Sequence, residues 1–401
     1  MYMWVKVGNK KAVEIHDDVI RGVLSIYPEE QLLDRPFFID AFSNGHISYK
    51  GLLSECDSML IPWQMFFLNP TNFKKQLENI EKNRKSKFRK SFFTKRESAG
   101  KVTSKRIIDR LIRLQDYILS NFKDKLSKHS FCGSMKGKTM DECVKIFTDS
   151  FDIDMTVFRG KTQIDNALEY LIEKIENKNI NISRGVLKGG VLPELKGAGT
   201  VYKNTSGFVI KDESIPFVFL PDDLNPEEAF GRRIYTLIYL LVCIGLDEYD
   251  FYIESNFKAS ALKTKGSEAK RHKITTAILL PEAETEKIRG TGITQTEVAS
   301  LSKAYKITPT AVVVTLRRRG IIDQNEYDSL LPTSGVLTKN KSKGRRPNID
   351  RAVRKFCGLQ SFGYVNQGIK SGALGGIEAQ YLLFGRVNQK QYKNYRQKVN
   401  I

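Results

Sequence analysis

Residues 234–246 read IYTLIYLLVCIGL, thirteen consecutive residues without a charge, entered through the arginine pair Arg232 and Arg233. Three structures accommodate such a run: a membrane span, a helix buried in a core, or the scaffold of an active site whose chemistry has gone. A spanning helix needs about 20 predominantly apolar residues, so this one is too short. The opening MYMWVKVGNKK lacks the apolar stretch and small-residue cleavage site of a secretory leader. Hydrophobic residues make up 41% and charged residues 27% of the chain, the balance of an ordinary globular protein. The run is therefore expected to be a core helix. The five cysteines (Cys56, Cys132, Cys143, Cys243, Cys357) are odd in number and widely spaced, with no CxxC pair. That pattern predicts a reducing compartment, not a disulfide framework or a zinc ribbon. The expected location is the cytoplasm, with no membrane association.

Charge is the abnormal quantity. Sixty-five Lys and Arg against forty-five Asp and Glu leave a net +20, a field that draws polyanions. Residues 74–113 hold fifteen basic and four acidic residues, with Phe88, Phe92 and Phe93 interleaved. Residues 339–355 hold eight basic residues and one acid. One reading is solvated surface with a mobile linker. The other is phosphate contact, with affinity that falls as salt rises. On the second reading Arg84, Lys85, Lys87, Arg89, Lys90, Lys95, Arg96, Lys343, Arg345 and Arg346 are the candidate nucleic-acid-binding residues, with DNA placed ahead of RNA. No sequence-reading device is evident in either cluster.

Along the chain, residues 10–68 are expected to form short helices, with turns at SNGH (43–46) and near Pro62. A helix is expected over 104–126, its stripe Ile107, Leu111, Leu114, Ile118 and Phe122. Residues 149–176 read as a strand-like piece, then a helix with Ile164, Leu168, Leu171 and Ile175 at helical spacing. SGFVIKDESIPFVFLP (206–221) reads as two strands joined by KDES. A helix at 264–281 stops at Pro281, and a helix pair follows. In that pair Gln295–Tyr305 is the first helix, and Thr308 caps the second with Pro309 at its first position. This pair could be a helix-turn-helix, but AVVV is a poor base-reading surface, which favours a scaffold.

The order of these pieces resembles the ImmA/IrrE family of zinc peptidases that carry an XRE-type helix-turn-helix in front. SIPFVFLPDD followed by FGRRIYTLIYLLVCIG resembles the family's strand and zinc helix, with Tyr235, Thr236 and Leu237 at its FTL step. SEAKRHKITTAILLP places Glu268 at the third-ligand position. ITPTAVVVTLRRRGII, ending at Ile322, is similar to a later family phrase. Residues 41–68 keep Gly45, Ser48, Leu52, Pro62 and FFL of the segment that ends the helix-turn-helix. The resemblance spans roughly residues 30–385.

The zinc chemistry does not carry over. HExxH works because i and i+4 put two imidazoles on one helix face, with the Glu activating a metal-bound water. Here those positions are Tyr239, Leu240 and Cys243, and His16, His46, His129 and His272 all lie outside the helix. Cys243 is expected as a small core residue, and Glu268 as a relic or an arginine's ion-pair partner. No catalytic residue, metal or cofactor is expected. Arg232 and Arg233 are left to outward pairing or phosphate contact. The glycine-rich LKGGVLPELKGAGT and SGALGGIEA lack phosphate-loop spacing and are expected as loops.

The expected fold is α+β and mostly helical. It comprises a degenerate helix-turn-helix-like region (1–70), a basic helical connector (71–148), a zincin-like pseudopeptidase lobe with a small sheet (149–332), a basic linker (333–348) and a C-terminal helical segment (349–401). The resemblance implies a nucleic-acid-binding regulator in prophage or mobile-element control or phage defence. Its dead peptidase lobe would sense a phage or host protein, or a ligand, at the former cleft. The alternative class is an abortive-infection effector with an unrecognised active site.

Overall fold

A helix without charges for thirteen residues has no face to offer to water, so the rest of the chain must cover it on every side. The computed structural model does this. It describes residues 2–24, 36–59, 61–79, 101–185, 207–220, 230–248, 266–331, 348–385 and 387–400. The described chain is mostly helical, with two small three-stranded sheets. It divides into two compact units, Met1–Lys90 and Ser91–Ile401. None of the described helices is long and apolar enough to cross a membrane.

The N-terminal unit begins with a hairpin, β1 (Tyr2–Val7) and β2 (Lys10–His16), in which Val5 faces Val13 across the ladder. Helices α1 (Asp17–Leu24) and α2 (Pro36–Asn44) follow, then β3 (His46–Ser48), which pairs in parallel with β1 to give the order β2-β1-β3. Helix α3 (Tyr49–Met59) and a helical stretch at 70–79, α4, complete it. Val5, Ile15, Ile47, Leu52, Phe66 and Phe73 are buried between these pieces. The short helices expected over 10–68 are present as α1, α2 and α3, with two strands beside them. Residues 10–16 are a strand, and β3 lies between α2 and α3. The alternation of Val5 with Val7 and of Val13 with Ile15 has the period of a strand.

In the second unit the elements run α5 (Lys101–Asn121), α6 (Met140–Phe151), α7 (Met155–Gly160), α8 (Ile164–Glu176), β4 (Asn181–Arg184), β5 (Phe208–Ile210) and β6 (Phe217–Leu220). Next come α9 (Phe230–Leu246), α10 (Ser267–Leu279), α11 (Glu282–Glu286), α12 (Gln295–Tyr305), α13 (Pro309–Arg318) and α14 (Gln324–Leu330). The last four helices are α15 (Ile349–Cys357), α16 (Leu359–Ser371), α17 (Gly376–Phe384) and α18 (Gln389–Lys398). Strand β6 is central, parallel to β4 and antiparallel to β5. The two strands joined by KDES are as expected, whereas the strand-like piece after residue 149 is instead the end of α6 and α7.

Every residue of α9 from Arg233 to Leu246 is buried. The helix packs against β5 and β6, α8 and α10. Two of its glycines are needed for close approach. A Cβ at Gly231 would lie 2.7 Å from the Ile307 carbonyl carbon, and one at Gly245 would lie 2.7 Å from Met135 Sδ. The loop at 129–137 then closes the helix end, where the Gly133 and Met135 amides donate to the Ile244 and Gly245 carbonyls at 3.0 and 2.8 Å. Carbonyls of a buried last turn need such partners.

The C-terminal helices are fastened to the edge of the sheet through β4. Asn181 Nδ2 donates to the Cys357 carbonyl at 2.7 Å, and Ser183 Oγ donates to the Phe356 carbonyl at 2.5 Å. Gly358, at φ +79°, sits directly on this joint, because a Cβ there would fall 2.4 Å from Asn181 Oδ1. Helix α16 has no side-chain cap of its own. Its first amide, Leu359 N, donates to Glu176 Oε1 at 2.7 Å, and Ser361 N donates to Asn181 Oδ1 at 3.2 Å. The orphan donors of one helix are thus satisfied by the end of α8 and by β4. Glu176 also accepts from Ile182 N at 3.3 Å.

Burial pushes the Glu176 carboxyl up to about 7, against the lowering effect of these amides and of Arg184 and Arg354. The folded state therefore holds a proton between the ordinary glutamate value and 7 that the unfolded chain releases, so this group's contribution falls as pH rises through that window. Its full size is about 3 kcal/mol at most, from 1.36 kcal/mol per pKa step. A Glu176→Gln chain is expected to lose that pH dependence. Urea midpoints compared with wild type at pH 5 and pH 8 should differ least at pH 5, with the variant gaining relative stability at pH 8. Parallel pH profiles would contradict the assignment.

Candidate functional site

Helix α9 presents Tyr235, Tyr239 and Cys243 at i, i+4 and i+8, one stripe along its surface. Facing them, α10 carries Glu268 and His272 at i and i+4, with Arg271 beside them. The Tyr235 hydroxyl lies 2.8 Å from His272 Nδ1. A phenol donating there leaves the other ring nitrogen toward Glu268, whose Oε1 is 3.9 Å from Nε2. The Tyr239 ring packs on the His272 ring at 4.8 Å. Arg271 Nε donates to the Tyr239 hydroxyl at 3.1 Å, and its Nη1 reaches Glu248 Oε2 at 3.5 Å. Thr275 and Thr276 turn their hydroxyls back to the Arg271 and His272 carbonyls, both at 2.8 Å.

Tyr239, Cys243, Arg271 and His272 are all buried, while Glu268 stands half in solvent. Burial drives the Tyr239 phenol far above its ordinary value, with Cys243 adding to the rise. Burial likewise lowers His272, against the pull of Glu268. The neighbouring His272 holds the Glu268 carboxyl below its usual value. The result is a hydrogen-bonded plug of aromatic rings and one guanidinium.

Of the four positions carried by the peptidase resemblance, Tyr239, Cys243 and Glu268 converge on this plug. Leu240 does not: its Cδ1 would meet a Cβ at Gly207 at 2.9 Å, on the side of the sheet. These residues do not suit a zinc ion. A cationic guanidinium already sits on the Tyr239 oxygen, the phenol is held protonated, and Leu240, where the resemblance would put the catalytic Glu, is turned toward Gly207. Among the described residues, the one group of three donors near enough to share a cation is His16, Asp17 and Asp18, whose donor atoms lie within 4.8 Å of one another. There Asp17 is engaged by Arg21 Nε at 3.4 Å.

Tyr235, Arg271 and His272 join the plug although no site role for them is expected from the sequence. Their i and i+4 spacing on two successive helices was the available signal, but it becomes meaningful only once the two helices are known to face each other. Arg233 is 6% exposed, which removes it from phosphate contact. In α13 the stretch Ala311–Leu316 is entirely buried. The capping of that helix by Thr308 at 3.1 Å from Ala311 N is as expected, and its burial makes it scaffold.

All ten candidate nucleic-acid residues, Arg84, Lys85, Lys87, Arg89, Lys90, Lys95, Arg96, Lys343, Arg345 and Arg346, lie outside the described residues. Within the described part of the first cluster, Arg110 turns inward. It is stacked 4.2 Å from the Phe356 ring centroid, with its guanidinium donating to the Leu382 and Leu383 carbonyls at the end of α17. It serves as a C-terminal helix partner, a favourable place for a cation. A groove of about 750 Å³ between α5 and α17 is lined by Arg113, Asp116, Tyr117, Glu378 and Tyr381 among others. None of the five cysteines is joined in a disulfide.

Comparison of the chain with protein-family models, with curated proteins and with solved structures gives no match.

Removing the Tyr239 hydroxyl takes away the acceptor for a buried arginine N–H, at a cost of about 1–3 kcal/mol. Tyr239→Phe is accordingly expected to lower the urea midpoint without changing the slope of the transition. A Tyr239→Phe chain as stable as wild type would mean that the Arg271 contact contributes nothing.

Proposed function

We propose that this chain is a cytoplasmic nucleic-acid-binding regulator built on a peptidase-like helical scaffold that has no peptidase chemistry. The observation that carries the reading is the net +20, concentrated in residues 74–113 and 339–355. Charge of that size and clustering binds phosphate backbones through counterion release, with little dependence on sequence. The plug at Tyr239, Arg271 and His272 supports the second half of the reading, because side chains occupy the place where a metallopeptidase needs an open coordination position. On the resemblance to ImmA/IrrE proteins, the setting is control of a prophage or mobile element, or phage defence. The lobe around α9 would then bind a phage or host protein, or a ligand, rather than cut one.

Binding to random-sequence duplex DNA, measured by fluorescence anisotropy from 50 to 300 mM salt, tests this. The affinity should fall linearly on logarithmic axes, with a slope of about −0.9 for each phosphate neutralised. Replacing Arg84, Lys85, Lys87, Arg89 and Lys90 together by alanine should make that slope shallower. Failure to bind any duplex at 50 mM salt would remove the reading.

A further inference from the structure

Helix α18 reads QKQYKNYRQK, with no acidic residue in ten. Asn388 caps it by accepting from Gln391 N at 3.0 Å. Two tyrosines anchor one side. Tyr395 is fully buried, its ring 5.8 Å from that of Phe384 and 6.2 Å from that of Phe362, and its hydroxyl donates to Asn366 Oδ1 at 2.5 Å. Tyr392 is 5% exposed and also meets Phe384.

The opposite side is another matter. Lys390, Lys393, Asn394 and Gln397 are all exposed, and at 3.6 residues per turn they fall within an arc of about 100°. Arg396, packed over the Tyr392 ring at 5.9 Å, and Lys398 flank that arc. Lys390, Lys393 and Lys398 make no ion pair among the described residues. Helix α15 packs on α18 and presents exposed Arg351 and Arg354. From residue 349 to 401 there are nine basic residues against Asp350 and Glu378 alone.

Such a face could be a solvated surface, but its composition is specific. Asn and Gln pair bidentately with adenine, Lys and Arg with guanine or phosphate. At 1.5 Å per residue the helix is about 15 Å long, which suits a major groove about 12 Å wide. The deep, narrow major groove of A-form RNA does not admit a helix. In helix α13, the other candidate for this role, Ala311–Leu316 are buried. We propose that α18 is the base-contacting helix, its Asn394 and Gln397 reading base edges in the major groove of duplex DNA while Lys390 and Lys393 on the same arc contact its phosphates. Arg351, Arg354 and Arg396 hold the flanking phosphates. This deepens the nucleic-acid reading and rests on it.

The test begins by selecting bound duplexes from a randomised DNA pool with the full chain. The double variant Asn394→Ala/Gln397→Ala should lose at least about tenfold more affinity for the selected duplex than for a scrambled one, the loss expected when base contacts go. Lys390→Ala/Lys393→Ala should weaken binding to both duplexes alike and make the salt slope shallower by about two. Thermal melts confirm that these surface variants fold. No enriched sequence, full preference retained by the first variant, or tighter binding to duplex RNA would each overturn the assignment to α18 while leaving general nucleic-acid binding in place. A wild-type chain that binds no nucleic acid would instead end the broader reading.

Discussion

Covering α9 on all sides is the constraint from which the second unit follows. Each aliphatic side chain on that helix is worth about 1.5–3 kcal/mol when removed from water, and Ile234, Leu237, Ile238, Leu240, Leu241, Val242 and Ile244 are each fully buried. No single neighbour can cover them. The sheet takes one side, α8 and α10 take others, and the loop at 129–137 seals the end. The same burial dictates what the polar groups on the helix must do. Two phenols in this environment need partners, because an unsatisfied buried hydroxyl costs about 1–3 kcal/mol. His272 and Arg271 supply them.

That arrangement also decides what the helix cannot be. A zinc helix exposes its ligands to a cleft and leaves a coordination position open to water. Here the stripe of Tyr235, Tyr239 and Cys243 faces a guanidinium and an imidazole from α10. Among the described residues, α15 and α18 carry exposed basic side chains at Arg351, Arg354, Lys390 and Lys393. The C-terminal helices of the second unit are attached through a capped joint at Glu176, Asn181 and Gly358, and among the described residues the outward side of α18 is exposed. The scaffold and the charged face are thus separate parts with separate chemistry.

How much of this was legible depended on whether the signal was local. The uncharged run predicted a core helix without reference to any other residue. KDES between two β-branched segments predicted the β5–β6 pair, and Thr308 with Pro309 predicted the start of α13. The hairpin β1–β2 was missed because each strand carries only a short alternation among lysines, and β2 is an edge strand exposed for most of its length. The partners of Tyr235 and Tyr239 lie more than 30 residues away, beyond any helical period. Arg110 reads as one more basic residue of a cluster until the carbonyls at the end of α17 are seen beside it. The outward face of α18 needs knowledge of which side its tyrosines bury.

Backbone hydrogen exchange of α9 is the most direct test of the central claim. If the helix is a closed core element, the amides from Leu237 to Ile244 should exchange only through global unfolding, and at the same rate with or without added zinc. Exchange of those amides by local opening, or a selective slowing of the turn around Tyr239 and Cys243 when zinc is present, would mean that an accessible metal site lies where the plug is described.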